Sequence, residues 1–419
     1  MLPFNRHLLA CSTMPPSGAP RIAYFPDSFH EVNGVAHTSR NFTAYAQRHG
    51  IPMLCVRAGA ATGRLPRQGS LRALELGRSP LAVRVEKDLS FDPLFFRYTN
   101  RISAMVRSFR PDVIHITGPS ELGLFGAYFA RQLRIPLVAS WHTNLHEYAG
   151  RRMRWLSRHL GSAGRHLEQG VEGLALSTVA AFYRRAQVLY APNPALCRLL
   201  EDATQRPCHL MQRGVDTELF HPAPSPRVQP DEEVVLGYVG RLSVEKNVTL
   251  LPKVDLQLRN LGLRPRWLIV GHGAEQSYLR RNLAHAEFPG VLRGEALAGA
   301  YARMDLLVFP SHTDTFGNVV LEALASGVPA IVTPDGGPAY ILRSATHCAC
   351  GESEADGWSP TLPGCIARDE EFAPAIARVV TQSALLGHMR SAARDYALRC
   401  TWDRVFDRVI SAYPHTASV

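Results

Sequence analysis

Short apolar runs alternate with longer segments of mixed polarity along most of this chain. Such runs, bounded by Gly, Pro and Ser, are typical of buried parallel strands, and the intervals are long enough for crossover helices. The predicted strands are Arg21–Phe25, Pro52–Val56, Asp112–Ile116, Pro136–Ser140 and Gln187–Ala191 in the first half, and Val234–Gly240, Arg266–Gly271, Asp305–Phe309 and Pro329–Thr333 in the second. The pattern therefore predicts an α/β fold built from doubly wound parallel sheets.

The proline-rich stretch His221–Pro230 interrupts this pattern, and we interpret it as a linker. A chain of 419 residues is also too long for one ordinary core, so two domains are expected. We predict a disordered extension (1–20), an N-terminal α/β domain (21–222), a C-terminal α/β domain (223–400), and a closing amphipathic helix with its tail (401–419). Two such domains would face a central cleft, with ligands at the carboxyl ends of the strands.

Composition excludes some classes of protein but does not indicate a function. The chain is 46% hydrophobic and 20% charged, and it has no run of 18 apolar residues, so no membrane span is expected. The eight cysteines are scattered and form no CxxC pair, which favours reduced thiols in the cytosol. One histidine and three cysteines cluster in His347–Cys365 and could hold zinc, although their spacing fits no common zinc pattern: His347, Cys348, Cys350 and Cys365.

The net charge of +10 comes mostly from arginine. No basic stripe interleaved with aromatic residues and no known nucleic-acid module is evident, so nucleic acid is not an expected partner. The densest basic patch is Arg151–Arg165, which also carries Met153 and Trp155. It fits an interfacial helix on anionic lipid, and equally a solvated helix packed on its own domain. The predicted location is cytoplasmic, with a peripheral position at the inner membrane face if the patch binds lipid.

The segment Ser311–Pro329 carries the clearest candidate chemistry. A polar loop follows the predicted strand there, a helix is predicted to begin near Asn318, and Gly327 and Pro329 give a typical helix stop.

The first N–H groups of this predicted helix have no partner within the helix, so they form an anion site next to Gly317. Asp314 in the loop and Glu322 in the helix flank this site. An anion site between carboxylates that can accept from hydroxyl groups matches the needs of a nucleotide sugar, and this combination indicates sugar transfer.

Two cations, Arg241 and Lys246, follow a predicted strand and a glycine turn. They could neutralise a diphosphate without a metal ion. The alternative for Lys246 is a surface ion pair with Glu245. A second Gly-x-Gly turn at Gly271 and Gly273 lacks the acidic partner of a dinucleotide fingerprint, so a nicotinamide cofactor is not expected.

Three features of the first predicted domain carry weaker signals. Gly34 lies in a tight turn that leads into a helix, where the backbone could approach a ligand. His142 lies just past a predicted strand at the cleft, although a lone histidine is more often structural. The stretch Arg213–Pro222 carries no evident chemistry and is interpreted as a packing turn at the domain junction.

Five motifs in this order give the chain a family resemblance: VNGV, WHTN, RGVDTELFHP, GRLSVEKN and DTFGNVVLEALASGVP. Together they resemble the retaining glycosyltransferases of family 4, which have the GT-B fold of two facing Rossmann-like domains. The resemblance extends from Arg21 to about Tyr413. The wording VNGV…HTN…TDTFGNVVLEA is most similar to the branch that glycosylates lipids, which includes mannosyl- and sulfoquinovosyl-diacylglycerol synthases.

The resemblance implies roles for individual residues. Glu322 matches the second glutamate of the family's E-x7-E motif and would bind the ribose, while Asp314 replaces the first glutamate and would hold hydroxyls of the donor sugar. The catalytic candidates are His142, Arg241, Lys246 and Asp314. The donor-binding candidates are Gly34, Arg241, Lys246, Arg293, Gly294, Asp314, Phe316, Gly317, Asn318, Val319 and Glu322.

Within these sets the N–H groups of Asn318 and Val319 would bind the diphosphate beside the two cations. Gly34 would approach the same phosphates, His142 would lie near the reacting sugar carbon, and the backbone at Arg293–Gly294 would recognise the base. Two departures from the family are noted: aspartate 314 is one methylene shorter than glutamate, and Ala345–Pro363 lacks the usual compact NG turn.

The implied activity is retaining transfer of a hexose from a nucleotide-diphosphate sugar, such as GDP-mannose or UDP-glucose, to an acceptor hydroxyl on a membrane glycolipid or diacylglycerol. The diphosphate itself would take the acceptor's proton. No DxD-type metal site is evident, so neither a metal ion nor another cofactor is expected. The alternatives are a soluble or polysaccharide acceptor, and a non-catalytic nucleotide-sugar-binding relative. The motif order favours transfer over a GT-B epimerase or a PLP phosphorylase.

Overall fold

The computed structural model describes residues 18–31, 34–86, 89–141, 177–222, 233–314, 316–346 and 362–414. The chain forms two compact units, Met1–Met211 with Phe406–Val419, and Gln212–Val405. The predicted boundary at 222 therefore differs from the observed one, and the C-terminal residues belong to the first unit. Most of the predicted extension 1–20, the linker from 223 onward, His142 and the basic patch Arg151–Arg165 lie outside the described residues.

Specific contacts explain the observed boundaries. At the start of the second unit, Val215 N–H donates to the carbonyl of Cys400 at 2.9 Å. At the C-terminus, the ring of Phe406 stacks on Phe42 with 4.7 Å between centroids. The hydroxyl of Tyr413 lies 2.6 Å from Nδ1 of the buried His115. These contacts place residues near 212 in the second unit and the end of the chain in the first.

The first unit contains an eight-stranded sheet in the order β10-β9-β8-β7-β1-β2-β4-β3, parallel except for the short β3, and a separate β5–β6 hairpin. The strands are β1 (Ile22–Phe25), β2 (Met53–Gly59), β3 (Gly63–Arg64), β4 (Leu71–Gly77), β5 (Val83–Glu86), β6 (Leu89–Phe91), β7 (Val113–Ile116), β8 (Leu137–Ser140), β9 (Val188–Ala191) and β10 (Cys208–Leu210). Strands β1, β7, β8 and β9 are buried along their whole length, which explains their uninterrupted apolar sequences.

Helices of this unit are α1 (Gly34–Arg48), α2 (Thr99–Phe109), α3 (Glu121–Leu133) and α4 (Pro194–Thr204), with a 3₁₀ helix at Pro93–Tyr98 and helical residues 177–183. Aromatic side chains fill the core between sheet and helices, among them Phe25, Phe109, Phe125 and Phe129. Residue Ser120 caps α3 by accepting from Gly123 N–H at 3.3 Å, a typical N-cap contact.

The second unit is a six-stranded, wholly parallel sheet in the order β13-β12-β11-β14-β15-β16. Its strands are β11 (Val235–Val239), β12 (Arg266–Val270), β13 (Ala286–Gly290), β14 (Leu306–Phe309), β15 (Ala330–Val332) and β16 (Gly364–Ile366). Its helices are α5 (Leu250–Asn260), α6 (Gln276–Asn282), α7 (Gly294–Ala302), α8 (Asn318–Ala325), α9 (Gly336–Thr346), α10 (Phe372–Thr381) and α11 (Ser383–Leu398), with 3₁₀ turns at Val244–Lys246 and Asp369–Glu371. Helix α12 (Trp402–Ser411) confirms the predicted amphipathic helix, and the boundary between the units falls within it.

Both sheets reverse their strand order at one point, and these points locate the candidate ligand crevices. In the first unit the order reverses between β1 and β7, and in the second between β11 and β14. Ligands of open α/β sheets bind outside the carboxyl ends of the strands at such switch points. Among the described residues, no helix has both the length and the apolar character that crossing a membrane requires.

Candidate active site

The N-terminus of α8 follows β14, as predicted, and lies at the switch point of the second unit. Gly317 precedes the helix with φ of 83°, a left-handed conformation that L side chains rarely adopt. A Cβ there would also lie 2.8 Å from Cγ of Pro338. The helix begins at Asn318 and ends with a Schellman arrangement in which Gly327 N–H donates to Leu324 at 3.0 Å. The predicted start and stop signals are both confirmed.

Lys246 and Asp314 form an ion pair across this switch point. Lys246 Nζ lies 2.8 Å from Asp314 Oδ2, and the two side chains are only 15% and 22% exposed. Lys246 follows β11 and Asp314 follows β14, two neighbouring parallel strands whose carboxyl ends meet at one edge. Lys246 therefore pairs with Asp314, and the alternative surface ion pair with Glu245 is wrong.

The loops that carry this pair are tied to each other and to α9. Thr313 Oγ1 donates to the carbonyl of Glu245 at 3.2 Å, which joins the loop after β14 to the loop after β11. The carbonyl of Asp314 accepts from Gly337 N–H at 2.9 Å. These bonds hold both side chains of the ion pair close to the N-terminus of α8.

His312, which no sequence pattern indicated, fixes the same loop from its exposed side. Its Nδ1 lies 2.7 Å from Asp335 Oδ2 and its Nε2 lies 3.1 Å from Asp369 Oδ1. These partners follow β15 and β16, so one histidine links the loops of three adjacent strands.

Arg241 precedes Lys246 in the loop after β11. A hydrogen bond holds its backbone, and its side chain is exposed. Its guanidinium pairs with Glu245 at 3.1 Å, and its carbonyl accepts from Tyr238 Oη at 3.0 Å. The second Gly-x-Gly turn packs against this loop, because a Cβ at Gly273 would lie 2.1 Å from the carbonyl oxygen of Leu242. These glycines therefore serve close backbone packing.

Glu322 lies in α8, half-buried, with Tyr301 of α7 as its partner. Tyr301 Oη donates to Glu322 Oε2 at 2.9 Å. Burial raises the pKa of Glu322 to about 7, and the hydrogen bond from Tyr301 opposes that rise. A carboxyl group of this kind accepts hydroxyl hydrogen bonds best when it is ionised, so its ligand affinity will depend on pH. No sequence signal pointed to Tyr301.

The other donor-binding candidates occupy different environments. Arg293 and Gly294 are exposed at the start of α7, the helix that also carries Tyr301. Phe316 is a core residue, 3% exposed, whereas Val319 is half-buried in the first turn of α8. The candidate zinc ligands His347, Cys348 and Cys350 lie outside the described residues, and Cys365 is buried in β16.

The first unit has an acidic residue at its switch point, Asp27, which was not among the predicted site residues. Gly34 is the first residue of α1, and Asp27 lies between β1 and that helix. Asp27 N–H donates to Thr117 Oγ1 at 2.7 Å, and the hydroxyl of Ser120 donates to Asp27 Oδ1. Burial raises the pKa of Asp27 to about 7, and the Ser120 hydrogen bond opposes the rise. The sequence signal that could have identified Asp27 is its position directly after the first strand.

Comparison with known proteins places this geometry in a family. Residues 32–219 match the model of "Glycosyltransferase Family 4", and residues 233–381 match that of "Glycosyl transferases group 1". A GDP-mannose-dependent alpha-mannosyltransferase of Mycolicibacterium smegmatis is 31% identical over 94% of this chain and 96% of its own length. Sulfoquinovosyl transferase SQD2 of Arabidopsis thaliana is 30% identical over 77% of this chain and 61% of its own length.

Among solved structures, sucrose-phosphate synthase from Thermosynechococcus elongatus matches with a TM-score of 0.65 at 17% identity, over 94% of this chain and 100% of that one. A likeness at this identity establishes the fold, which is GT-B. With this fold and the matched family models, the protein is a nucleotide-sugar glycosyltransferase. The chain belongs to glycosyltransferase family 4, as the motif resemblance predicts.

Proposed function

We propose that this enzyme transfers mannose from GDP-mannose, with retention of configuration, to a hydroxyl group of a membrane glycolipid or diacylglycerol. The mannosyltransferase relative, which aligns with almost the whole chain, supports the donor. The resemblance of the motifs to the lipid-glycosylating branch and the arginine-rich composition support a lipid acceptor and a peripheral position at the membrane. UDP-glucose is the competing donor.

The observation that carries the proposal is the Lys246–Asp314 ion pair beside the N-terminus of α8. A nucleotide sugar presents a diphosphate next to a hydroxyl-rich ring. The helix N-terminus and Lys246 suit the diphosphate, and Asp314 suits the hydroxyls. Glu322, five residues into the same helix, suits the ribose.

The name of the mannosyltransferase relative supports retention. GDP-mannose carries an α-linked sugar, so an α-mannosyl product keeps the configuration. In the proposed step the bond between the anomeric carbon and the diphosphate oxygen breaks through an oxocarbenium-like state. The acceptor oxygen bonds to the same face, and its proton passes to the departing diphosphate. Lys246, Arg241 and the α8 N–H groups would stabilise the negative charge on that leaving group.

Donor identity is tested by thermal unfolding with GDP-mannose, GDP, UDP-glucose and UDP. A ligand that binds only the folded state adds about 2.7 kcal/mol of stability at 100 times its dissociation constant. We expect the guanine nucleotides to raise Tm at concentrations where the uracil nucleotides do not. The reverse order would replace GDP-mannose with UDP-glucose, and no response to any of the four ligands would contradict both donor assignments. A response to donor without any release of nucleotide diphosphate would favour the non-catalytic nucleotide-sugar-binding relative.

Metal independence is the second expectation for this site. Because Lys246, Arg241 and a helix N-terminus already offer positive charge to the diphosphate, we expect GDP release from GDP-mannose to continue unchanged in excess EDTA. The assay compares initial rates with EDTA, with added magnesium and with added manganese. Activity that depends fully on added metal would contradict this expectation.

Asp27 is the group through which the first unit would hold the acceptor hydroxyl. We expect Asp27→Asn to raise the acceptor KM about tenfold or more, since a hydrogen bond to a charged group contributes ~1.5–3 kcal/mol. The affinity for GDP should not change. Glu31→Gln, a nearby acid, is the control. An unchanged acceptor KM, or an equal loss of GDP affinity, would contradict this role.

A further inference from the structure

Three buried polar atoms near the donor site have no hydrogen-bond partner among the described residues. They are Arg213 Nε, Ser243 Oγ and Asn318 Oδ1. Ser243 lies in the loop between Arg241 and Lys246, and Asn318 opens α8. Folded proteins pair nearly all of their buried polar atoms. The concentration of unpaired atoms here indicates that a bound ligand supplies their partners.

Arg213 is held close to Asp314 by the chain on its N-terminal side. Gln212 Nε2 donates to Tyr340 Oη at 3.3 Å, and Tyr340 belongs to α9, whose Gly337 N–H binds the Asp314 carbonyl. Burial lowers the pKa of Arg213 to about 10, and the negative charge of Asp314 opposes that fall. Arg213 is therefore a cation at neutral pH, within electrostatic reach of Asp314.

Arg213 differs from the two predicted phosphate-binding cations because the carboxylate that acts on it, Asp314, already forms an ion pair with Lys246. Lys246 has Asp314 as its partner, and Arg241 has Glu245. The buried Nε of Arg213 has no hydrogen-bond partner among the described residues. Asp314 thus carries one negative charge that faces two cations, Lys246 and Arg213, and a desolvated guanidinium that shares its counter-charge is costly. A bound anion would supply the missing negative charge.

We propose that Arg213 binds the diphosphate of the nucleotide-sugar donor as a third cation, together with Arg241 and Lys246. This inference rests on the donor site of the proposed function and extends it to a segment interpreted from sequence as a packing turn. A guanidinium group presents two parallel N–H donors to phosphate oxygens, which lysine cannot do. Arg213 would thus hold the leaving group during transfer and balance its own charge on binding.

The test measures anion affinity and apo-enzyme stability in Arg213→Met, with Arg213→Lys as the conservative variant. The probes are inorganic pyrophosphate, GDP and UDP, titrated by calorimetry. We expect Arg213→Met to weaken pyrophosphate and nucleotide binding at least tenfold, which is about 1.4 kcal/mol. Arg213→Lys should retain part of the affinity. The Tm of apo Arg213→Met should stay the same or rise, because a desolvated cation that shares its counter-charge with Lys246 is gone.

Arg259→Met is the matched control, since Arg259 of α5 also has an unpaired buried nitrogen and pairs with Asp255 away from this site. Its anion affinities should equal those of the wild type. Wild-type anion affinity in Arg213→Met would overturn the proposal, and so would a lower Tm with equal losses in both Arg213 variants. If the wild type binds UDP instead of GDP, the donor assignment fails while an Arg213 effect on pyrophosphate and UDP still supports this role.

Discussion

Lys246→Ala is expected to lower kcat with the nucleotide-sugar donor by at least about 100-fold. Lys246 is the partly buried cation at the β11–β14 switch point, 2.8 Å from Asp314. Loss of one preorganised donor at a developing negative charge costs ~3 kcal/mol of transition-state stabilisation. The substitution also leaves the Asp314 carboxylate without its counter-charge, beside an incoming diphosphate. Both effects lower the rate of transfer.

The measurement is single-turnover release of GDP from GDP-mannose, which separates chemistry from product release. Lys253→Ala is the matched control, because Lys253 is an exposed lysine of α5 with the same charge. The control should react at the wild-type rate. Near-normal turnover of Lys246→Ala would contradict the assignment of Lys246 to the leaving-group site.

Glu322→Gln is expected to weaken donor binding by at least about tenfold while stabilising the apo enzyme at alkaline pH. A glutamine amide accepts with one oxygen instead of two, and that oxygen already receives the hydrogen bond from Tyr301 in the wild-type arrangement. The ribose hydroxyls would then lose their charged acceptor, at ~1.5–3 kcal/mol. Calorimetric titration with GDP checks the affinity, and the exposed Glu295→Gln of α7 is the control.

The stability effect has a defined sign. Burial raises the pKa of Glu322 from 4.5 to about 7 in the folded state. Below the unfolded pKa the group is protonated in both states, and its contribution to the free energy of unfolding is fully present. That contribution is lost as the pH rises through about 7, because the folded state must then ionise a buried carboxyl group. At about pH 8 the wild type therefore pays an ionisation penalty of up to ~3 kcal/mol that Gln avoids, and at about pH 4 the difference vanishes. A Gln variant less stable than wild type at both pH values would contradict this account.

Sequence pattern predicted the buried part of the fold well, because central parallel strands must be apolar on both faces. All nine predicted strands are present, with ends that differ by a few residues. Strands that alternate or lie at an edge were missed. In β4 the residues Arg72 and Glu75 break the apolar run, and the edge strand β13 contains Glu287 and Pro289.

The candidate site was predictable where a residue follows a recognisable strand or opens a helix. Lys246, Asp314 and Glu322 fall into this group, and the structure brings the first two into contact. Tyr301 and Arg213 could not be predicted, because each reaches the site from a distant part of the chain through tertiary packing. The ion-pair partner of Lys246 could not be predicted either, because the sequence pattern does not show which carboxylate Lys246 contacts.

The central claim is retaining mannosyl transfer from GDP-mannose, and the anomeric configuration of the product tests it most directly. Enzyme, GDP-mannose labelled with ¹³C at the anomeric carbon, and vesicles that contain diacylglycerol and anionic phospholipid are incubated, and the lipid extract is analysed by NMR. The account predicts an α-mannosyl lipid formed in equal amount with GDP, and formation of both at least about 100-fold slower with Lys246→Ala. A β-linked product, or GDP release with mannose found only in water, would contradict it.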